Sequence, residues 1–202
     1  MNYLTKSDIT EETLQWENFI PFNAGKLIIG TFPTAKQRRS FEFFYPNKNN
    51  PFWKVLASIA EMTVASADCS NAIQNRKDIL TKLNLGITDM GYRVYRHANS
   101  SLDQSIFPIE FMNIFEILED HPSIKKLIIT STSGQNSVEG WLRSYCVLNA
   151  IDFPKLKGKN PKNGVLLQNG KKIIEVVSVH STSRAAAKTL EQLIYMYKSV
   201  LI

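Results

Sequence analysis

Four short apolar runs constrain this chain more than any other feature of its sequence. They are Lys26-Leu27-Ile28-Ile29-Gly30-Thr31-Phe32, Gly86 to Val94, Lys125-Lys126-Leu127-Ile128-Ile129-Thr130, and Ile173 to Val179. Their hydrophobic residues run on without the in-out alternation of a strand that keeps one face in water, so the strands they predict are covered on both sides. Segments with helical spacing lie between them. Pro51 opens one, with Trp53, Leu56, Ile59 and Ala60 on a common face; Phe111, Ile114, Phe115 and Leu118 mark a second; Val138, Trp141, Leu142 and Tyr145 a third. A last helix is expected from about Ser183, with Leu190, Leu193, Ile194, Tyr197 and Leu201 in register. This alternation predicts an α/β fold: a three-layer α/β/α sandwich around a short, mainly parallel four-stranded sheet.

At 202 residues, 44% of them hydrophobic, the chain is expected to form one domain over 1–202 with a sizeable core. Lys+Arg 24 against Asp+Glu 18 leaves a formal charge of +6, which suits a polyanionic partner without demanding one. Two cysteines, Cys69 and Cys146, build no disulfide framework and fall short of the four thiolates of an iron–sulfur cluster. A reduced, cytoplasmic setting is expected. The first residues contain no apolar signal core and no run of about 18 apolar residues occurs, so no membrane span is expected.

In parallel sheets, ligands bind beyond the carboxyl ends of the strands, where loops and helix N-termini present free N–H groups. Two such ends stand out: Gly30-Thr31-Phe32-Pro33-Thr34 after the first strand and His180-Ser181-Thr182-Ser183-Arg184 after the fourth. The lysine-rich segment Lys155 to Lys172 reads as a basic surface loop followed by a hairpin turn at Asn169-Gly170. Several common motifs are missing. The chain has no GxxxxGK[ST], no GxGxxG, no HExxH and no CxxC, and its three histidines, His97, His121 and His180, lack metal-ligand spacing. No cofactor and no metal are expected.

The remaining residues resemble the signatures of the uracil-DNA glycosylase superfamily. Ile29-Gly30-Thr31-Phe32-Pro33, followed by Phe44-Tyr45-Pro46-Asn47-Lys48-Asn49-Asn50-Pro51-Phe52-Trp53, is similar to its first motif, a Gly-x-x-Pro turn with a downstream Asn-x-Phe-Trp. The likeness is nearest to the hypoxanthine-DNA glycosylase branch. Leu85 to Asp89, Ser100 to Ile106 and Ser181-Thr182-Ser183 follow in matching order, so the resemblance spans residues 26 to about 190. It implies a monofunctional DNA glycosylase that removes uracil or hypoxanthine from DNA; separately, the chain is expected to be a monomer.

The resemblance gives individual residues roles that base excision requires: a flipped base must be gripped by stacking and hydrogen bonds while charge develops on the leaving group. Asn50 takes the catalytic asparagine's place, holding the base or a water; the residues alone read equally well as a helix cap before Pro51. Phe32 and Tyr45 would form the slot for the base, each with a plain core reading beside it, while Gly30, Thr31 and Pro33 shape the turn. Thr130, Ser131 or Ser133 would face the base where relatives carry an amide. Ser181, Thr182, Ser183 and Arg184, with His180 beside them, would grip the DNA backbone, although one hydroxyl is expected simply to cap the last helix. His180 has a structural reading too.

Two departures bear on mechanism. Phe32 stands where other branches carry an asparagine or a water-positioning aspartate, so the usual water-activating residue is absent. Asp89 is the nearest carboxylate of interest, with a turn or cap role as its alternative. The competing readings are a non-catalytic module of the same fold that binds nucleic acid or a nucleobase, and a hydrolase of free nucleosides.

Overall fold

The computed structural model describes residues 8–131, 134–183 and 187–202. Its main sheet has five strands, β2 (Lys26–Gly30), β3 (Leu85–Asp89), β6 (Lys126–Ile129), β7 (Lys162–Gln168) and β8 (Lys171–Ser178), in the order β3-β2-β6-β8-β7. The first four in space are mutually parallel, as the uninterrupted apolar runs require; β7 lies antiparallel on the β8 edge. The fifth strand corrects the expected four. Lys162–Gln168 belongs to the segment read as a basic loop, and its burial alternates, so it carries no continuous apolar run. The hairpin turn is where the sequence puts it: Asn169 and Gly170 take φ of 51° and 75°, the left-handed pair that a tight two-residue connection needs.

A second sheet lies outside that plan. β1 (Ile9–Thr13), β4 (Gly91–His97) and β5 (Ile106–Phe111) form an antiparallel sheet in the order β1-β4-β5. The run from Gly86 to Val94 is therefore two strands in two sheets, broken at Met90, whose N–H donates to the Gly30 carbonyl. Phe111 falls in β5 rather than on a helix.

The helices are α1 (Phe52–Ile59), α2 (Ala72–Lys82), α3 (Ile114–Asp120), α4 (Val138–Leu148) and α5 (Leu190–Leu201). Amphipathic spacing places Phe52, Trp53, Val55, Leu56 and Ile59 of α1 in the core, beside Leu27, Ile28, Ile29, Ile87, Leu127, Ile128 and Val176 of the sheet. Helix α5 begins later than expected. Thr189 is its cap, in a reciprocal box with Gln192, so Ser183 and the helix start are separate features.

Register fixes where the loops emerge. Gly30 pairs with Asp89, Ile29 with Ile129, and Ile129 with Ser178, so the carboxyl ends of all four parallel strands lie along one edge. From β2 the chain goes first to β3 on one side and then to β6 on the other, which opens a crevice beyond the β2 end.

Candidate functional site

A cleft of about 430 Å³ occupies that crevice, a volume typical of small-molecule sites. Its walls come from the β2 turn (Gly30 to Thr34), the 45–50 loop, the end of β3 (Asp89), the 101–103 turn, the end of β6 (Thr130, Ser131), and Ser181 and Ser183. Segments as far apart in sequence as Gly30 and Ser183 thus meet around one space because the sheet delivers their strand ends to one edge.

Asn50 sits at the head of α1. Its Oδ1 accepts from the Phe52 N–H at 3.0 Å, an Asx turn that bridges Pro51, the helix's capping residue. This corrects the cap reading: Pro51 and not Asn50 caps α1, and the Asn50 oxygen is tied to the turn that leads into the helix while its carboxamide lines the cleft. Among the described residues its Nδ2 has no hydrogen-bond partner, so the donor end is the one free to meet a ligand.

Phe32 is buried, 8% exposed, with the Arg96 guanidinium 5.8 Å from its ring centre, and it contributes to the cleft lining. Tyr45 lies flat on Phe52, ring centres 3.6 Å apart and 8° from parallel, and its hydroxyl shares a 2.9 Å hydrogen bond with Thr130 Oγ1. Burial raises its phenol well above the ordinary value, so it stays protonated. Its φ of 49° is the left-handed conformation, held by that stack and hydrogen bond. One ring face is therefore already used on Phe52.

Gly30 is fixed by what lies over it. A methyl group there would sit 2.1 Å from Asp89 Oδ1 and 3.3 Å from Tyr45 Oη. Gly30→Ala is expected to push Asp89 aside at a cost of about 1–3 kcal/mol, read as a lowered midpoint in thermal denaturation; an unchanged midpoint would mean that the carboxyl swings away freely.

Asp89 is 4% exposed, and no described residue hydrogen-bonds its carboxyl. Burial pushes it up to about 7, with the Asp103 charge adding to the rise and Arg39 opposing it. Asp103, on the 3-10 turn Asp103–Ser105, is pushed up to about 6 by burial, against the Thr31 hydroxyl that bonds it and the charge of Arg96. Sequence reasoning singled out Asp89 but not Asp103, whose only signal is its place in the Ser100 to Ile106 match.

Behind the cleft is an ionic cluster that no sequence signal announced. Glu12 on β1 accepts from Arg96 Nε at 2.6 Å and from Arg39 Nη2 at 2.7 Å. Arg96, fully buried, also donates to the Pro33 carbonyl at 2.7 Å and the Ser100 carbonyl at 2.5 Å, and Arg39 Nε donates to the Thr34 carbonyl at 2.7 Å. The antiparallel sheet thereby holds both the β2 turn and the loop that carries Asp103.

The fourth strand end divides its residues. Ser181 and Ser183 line the cleft; Thr182 is buried with its hydroxyl unpartnered, so it faces the interior. His180 pairs its Nε2 with Asn160 Nδ2, and its carbonyl accepts from Tyr197 Oη at 3.0 Å. Burial, then Lys188 and Lys162, lower its imidazole below the ordinary value, so it is neutral at pH 7. Arg184 and Ser133 lie outside the described residues. Among the described residues no group of three or more His, Cys, Asp or Glu is placed to hold a metal, and no helix is long and apolar enough to cross a membrane.

The fold matches a solution NMR structure of a protein from Methanosarcina acetivorans provisionally assigned as a uracil DNA glycosylase. Identity is 15%, the TM-score is 0.59, and the match covers 92% of this chain and 94% of the other. No family model matches the chain, and no curated protein matches its sequence. The likeness establishes a shared α/β architecture, a parallel-rich sheet flanked by helices, over nearly the whole of both chains.

Proposed function

We propose that this chain is a monofunctional DNA glycosylase of the uracil-DNA glycosylase superfamily, in its hypoxanthine-like branch, excising hypoxanthine or uracil from DNA. The observation that carries the reading is the cleft at the β2 end, where Asn50 offers a free carboxamide donor beside the Gly30 to Pro33 turn. The shared fold with the archaeal structure supports it. In this reading the flipped base enters between the β2 turn and the 45–50 loop, Asn50 Nδ2 donates to the base or to the attacking water, and Thr130 and Ser131 meet the base edge. Ser181, Ser183 and Arg184 hold the flanking phosphates, and the lysines of the β7–β8 hairpin extend the positive surface for DNA.

No lysine lines the cleft among the described residues, which supports simple hydrolysis over a Schiff-base route that would go on to cut the strand. The enzyme then works alone, as a cytoplasmic monomer without cofactor, and leaves an abasic site.

Single-turnover assays on end-labelled oligonucleotides carrying hypoxanthine or uracil, with alkali to reveal abasic sites, test this directly. Product is expected, and Asn50→Ala is expected to slow its formation about 100-fold while losing only about 1 kcal/mol of stability with the Asx turn. Salt-sensitive DNA binding with no abasic product would replace the enzyme by a binding module of the same fold.

A further inference from the structure

The turn position that could hold a water-activating carboxylate is occupied by the buried Phe32 ring, so protons must be handled from elsewhere in the cleft. A carboxyl is nonetheless present on the cleft wall, from a different strand. Asp89 ends β3, its register partner is Gly30, and the absence of a side chain on Gly30 is what admits the carboxyl to the cleft. The group is more than nine-tenths buried, hydrogen-bonded by no described residue, and borders the same space as Asn50. An unpartnered carboxyl in such a place costs folding free energy unless a ligand or a proton satisfies it.

We propose that Asp89 is the general acid of this cleft, protonating the departing base, and that the cleft is thereby matched to a purine such as hypoxanthine. The proposal rests on the glycosylase reading and deepens it. A purine joined to sugar through N9 keeps N3 and N7 as unprotonated ring nitrogens able to accept a proton; uracil joined through N1 has no such nitrogen, because its N3 carries hydrogen. An acid that gives a proton therefore aids the purine far more.

In the step, the electron pair of the C1′–N9 bond stays with the base, which takes the Asp89 proton. Water adds to C1′, and the proton it sheds returns to the carboxyl pair, restoring Asp89. The charged and titratable groups around Asp89 suit this cycle. Asp103 on the 101–103 turn and Arg39 beyond the β2 turn act on it with opposite sign, and the Tyr45 phenol over Gly30 stays neutral. Asp103, ionising first, keeps the proton on Asp89 near neutral pH.

The test compares wild type, Asp89→Asn and Asp103→Asn in single-turnover excision from pH 5 to 9, on oligonucleotides carrying hypoxanthine or 5-fluorouracil, whose base departs as an anion without protonation. Wild-type excision of hypoxanthine is expected to fall above about pH 7. Asp89→Asn should lose about 100-fold on hypoxanthine and less than about tenfold on 5-fluorouracil, and Asp103→Asn should move the fall to lower pH. Carbon-13 NMR titration of the wild-type aspartate carboxyls gives a readout independent of turnover, with one resonance expected to titrate near 7. Equal losses on both bases, an unchanged pH profile in Asp89→Asn, or an Asp89 resonance titrating in the ordinary carboxylate range would overturn the proposal while leaving excision intact. Absence of abasic product from wild type on every substrate would overturn the glycosylase reading, and this proposal with it.

Discussion

Truncating Arg96 to alanine is expected to cost the fold about 3–5 kcal/mol, a large part of the total for an ordinary domain. The deletion leaves the Glu12 carboxylate, 7% exposed at its side chain, with Arg39 as its remaining ion-pair partner. It also removes donors from the Pro33 and Ser100 carbonyls, so the β2 turn and the 101–103 turn lose their common anchor. Urea denaturation should show the loss, and on the proposed glycosylase reading excision should fall in the fraction that remains folded, because both turns line the cleft. Arg39→Ala should cost less, since Arg39 is 11% exposed at its side chain and reaches only one carbonyl. Pairing Arg96→Met with Glu12→Leu should recover only part of the stability, because Arg39 then loses its carboxylate partner and the Pro33 and Ser100 carbonyls still lack their donor. A loss under about 1 kcal/mol for Arg96→Ala would mean that water replaces the guanidinium and that the cluster is not an anchor.

Stability should also depend on pH in a direction opposite to the usual acid denaturation. Asp89 ionises near 3.8 when unfolded and near 7 when folded, so between those values the folded state holds the extra proton. Its contribution is fully present below about pH 4, declines as pH rises, and levels off above about 7. The stability of Asp89→Asn, which cannot ionise, should therefore gain on wild type by about 4 kcal/mol across that window, as measured by urea denaturation at a series of pH values. Asp103 acts in the same direction up to about 6. Parallel stability curves for wild type and Asp89→Asn would show that the folded carboxyl finds a partner or solvent. Combined with the activity test, the expected result is a variant that is more stable at pH 8 and much less active.

What the sequence discloses follows from which interactions leave a local trace. Ile28, Ile29, Ile128 and Val176 sit in unbroken apolar runs because both faces of their strands are covered, so the four parallel strands are readable. Strand β7 pairs along one edge and buries only Leu166 fully, and Lys162, Asn163 and Gly164 mask it as a loop. The antiparallel sheet is invisible for a related reason: Glu12 and Arg96 look like surface charges, and only their meeting across β1 and β4 makes them interior. At the site, Gly30, Thr31, Pro33, Asn50 and Ser131 are recognisable from a resemblance carried by short motifs, and the fold brings them to one cleft. Asp103 is not recognisable, because its importance arises from Asp89 and Thr31, which reach it through tertiary contact. The start of α5 lies later than the spacing predicts because Ser183 and Thr189 are both good capping residues, and only Thr189 has a Gln three positions on.

The stack of Tyr45 on Phe52 and its hydrogen bond to Thr130 tie the 45–50 loop to α1 and to the end of β6 at once. Two walls of the cleft are thus latched to each other across the molecule, and neither can swing without breaking the latch. A recess braced in this way is a gauge: its width is set before anything enters, and on the proposed glycosylase reading a base would be accepted or refused by its dimensions. On that reading the work of distortion would fall on the DNA, whose nucleotide must leave its stack to be measured, so lesions that already weaken pairing would present themselves most readily.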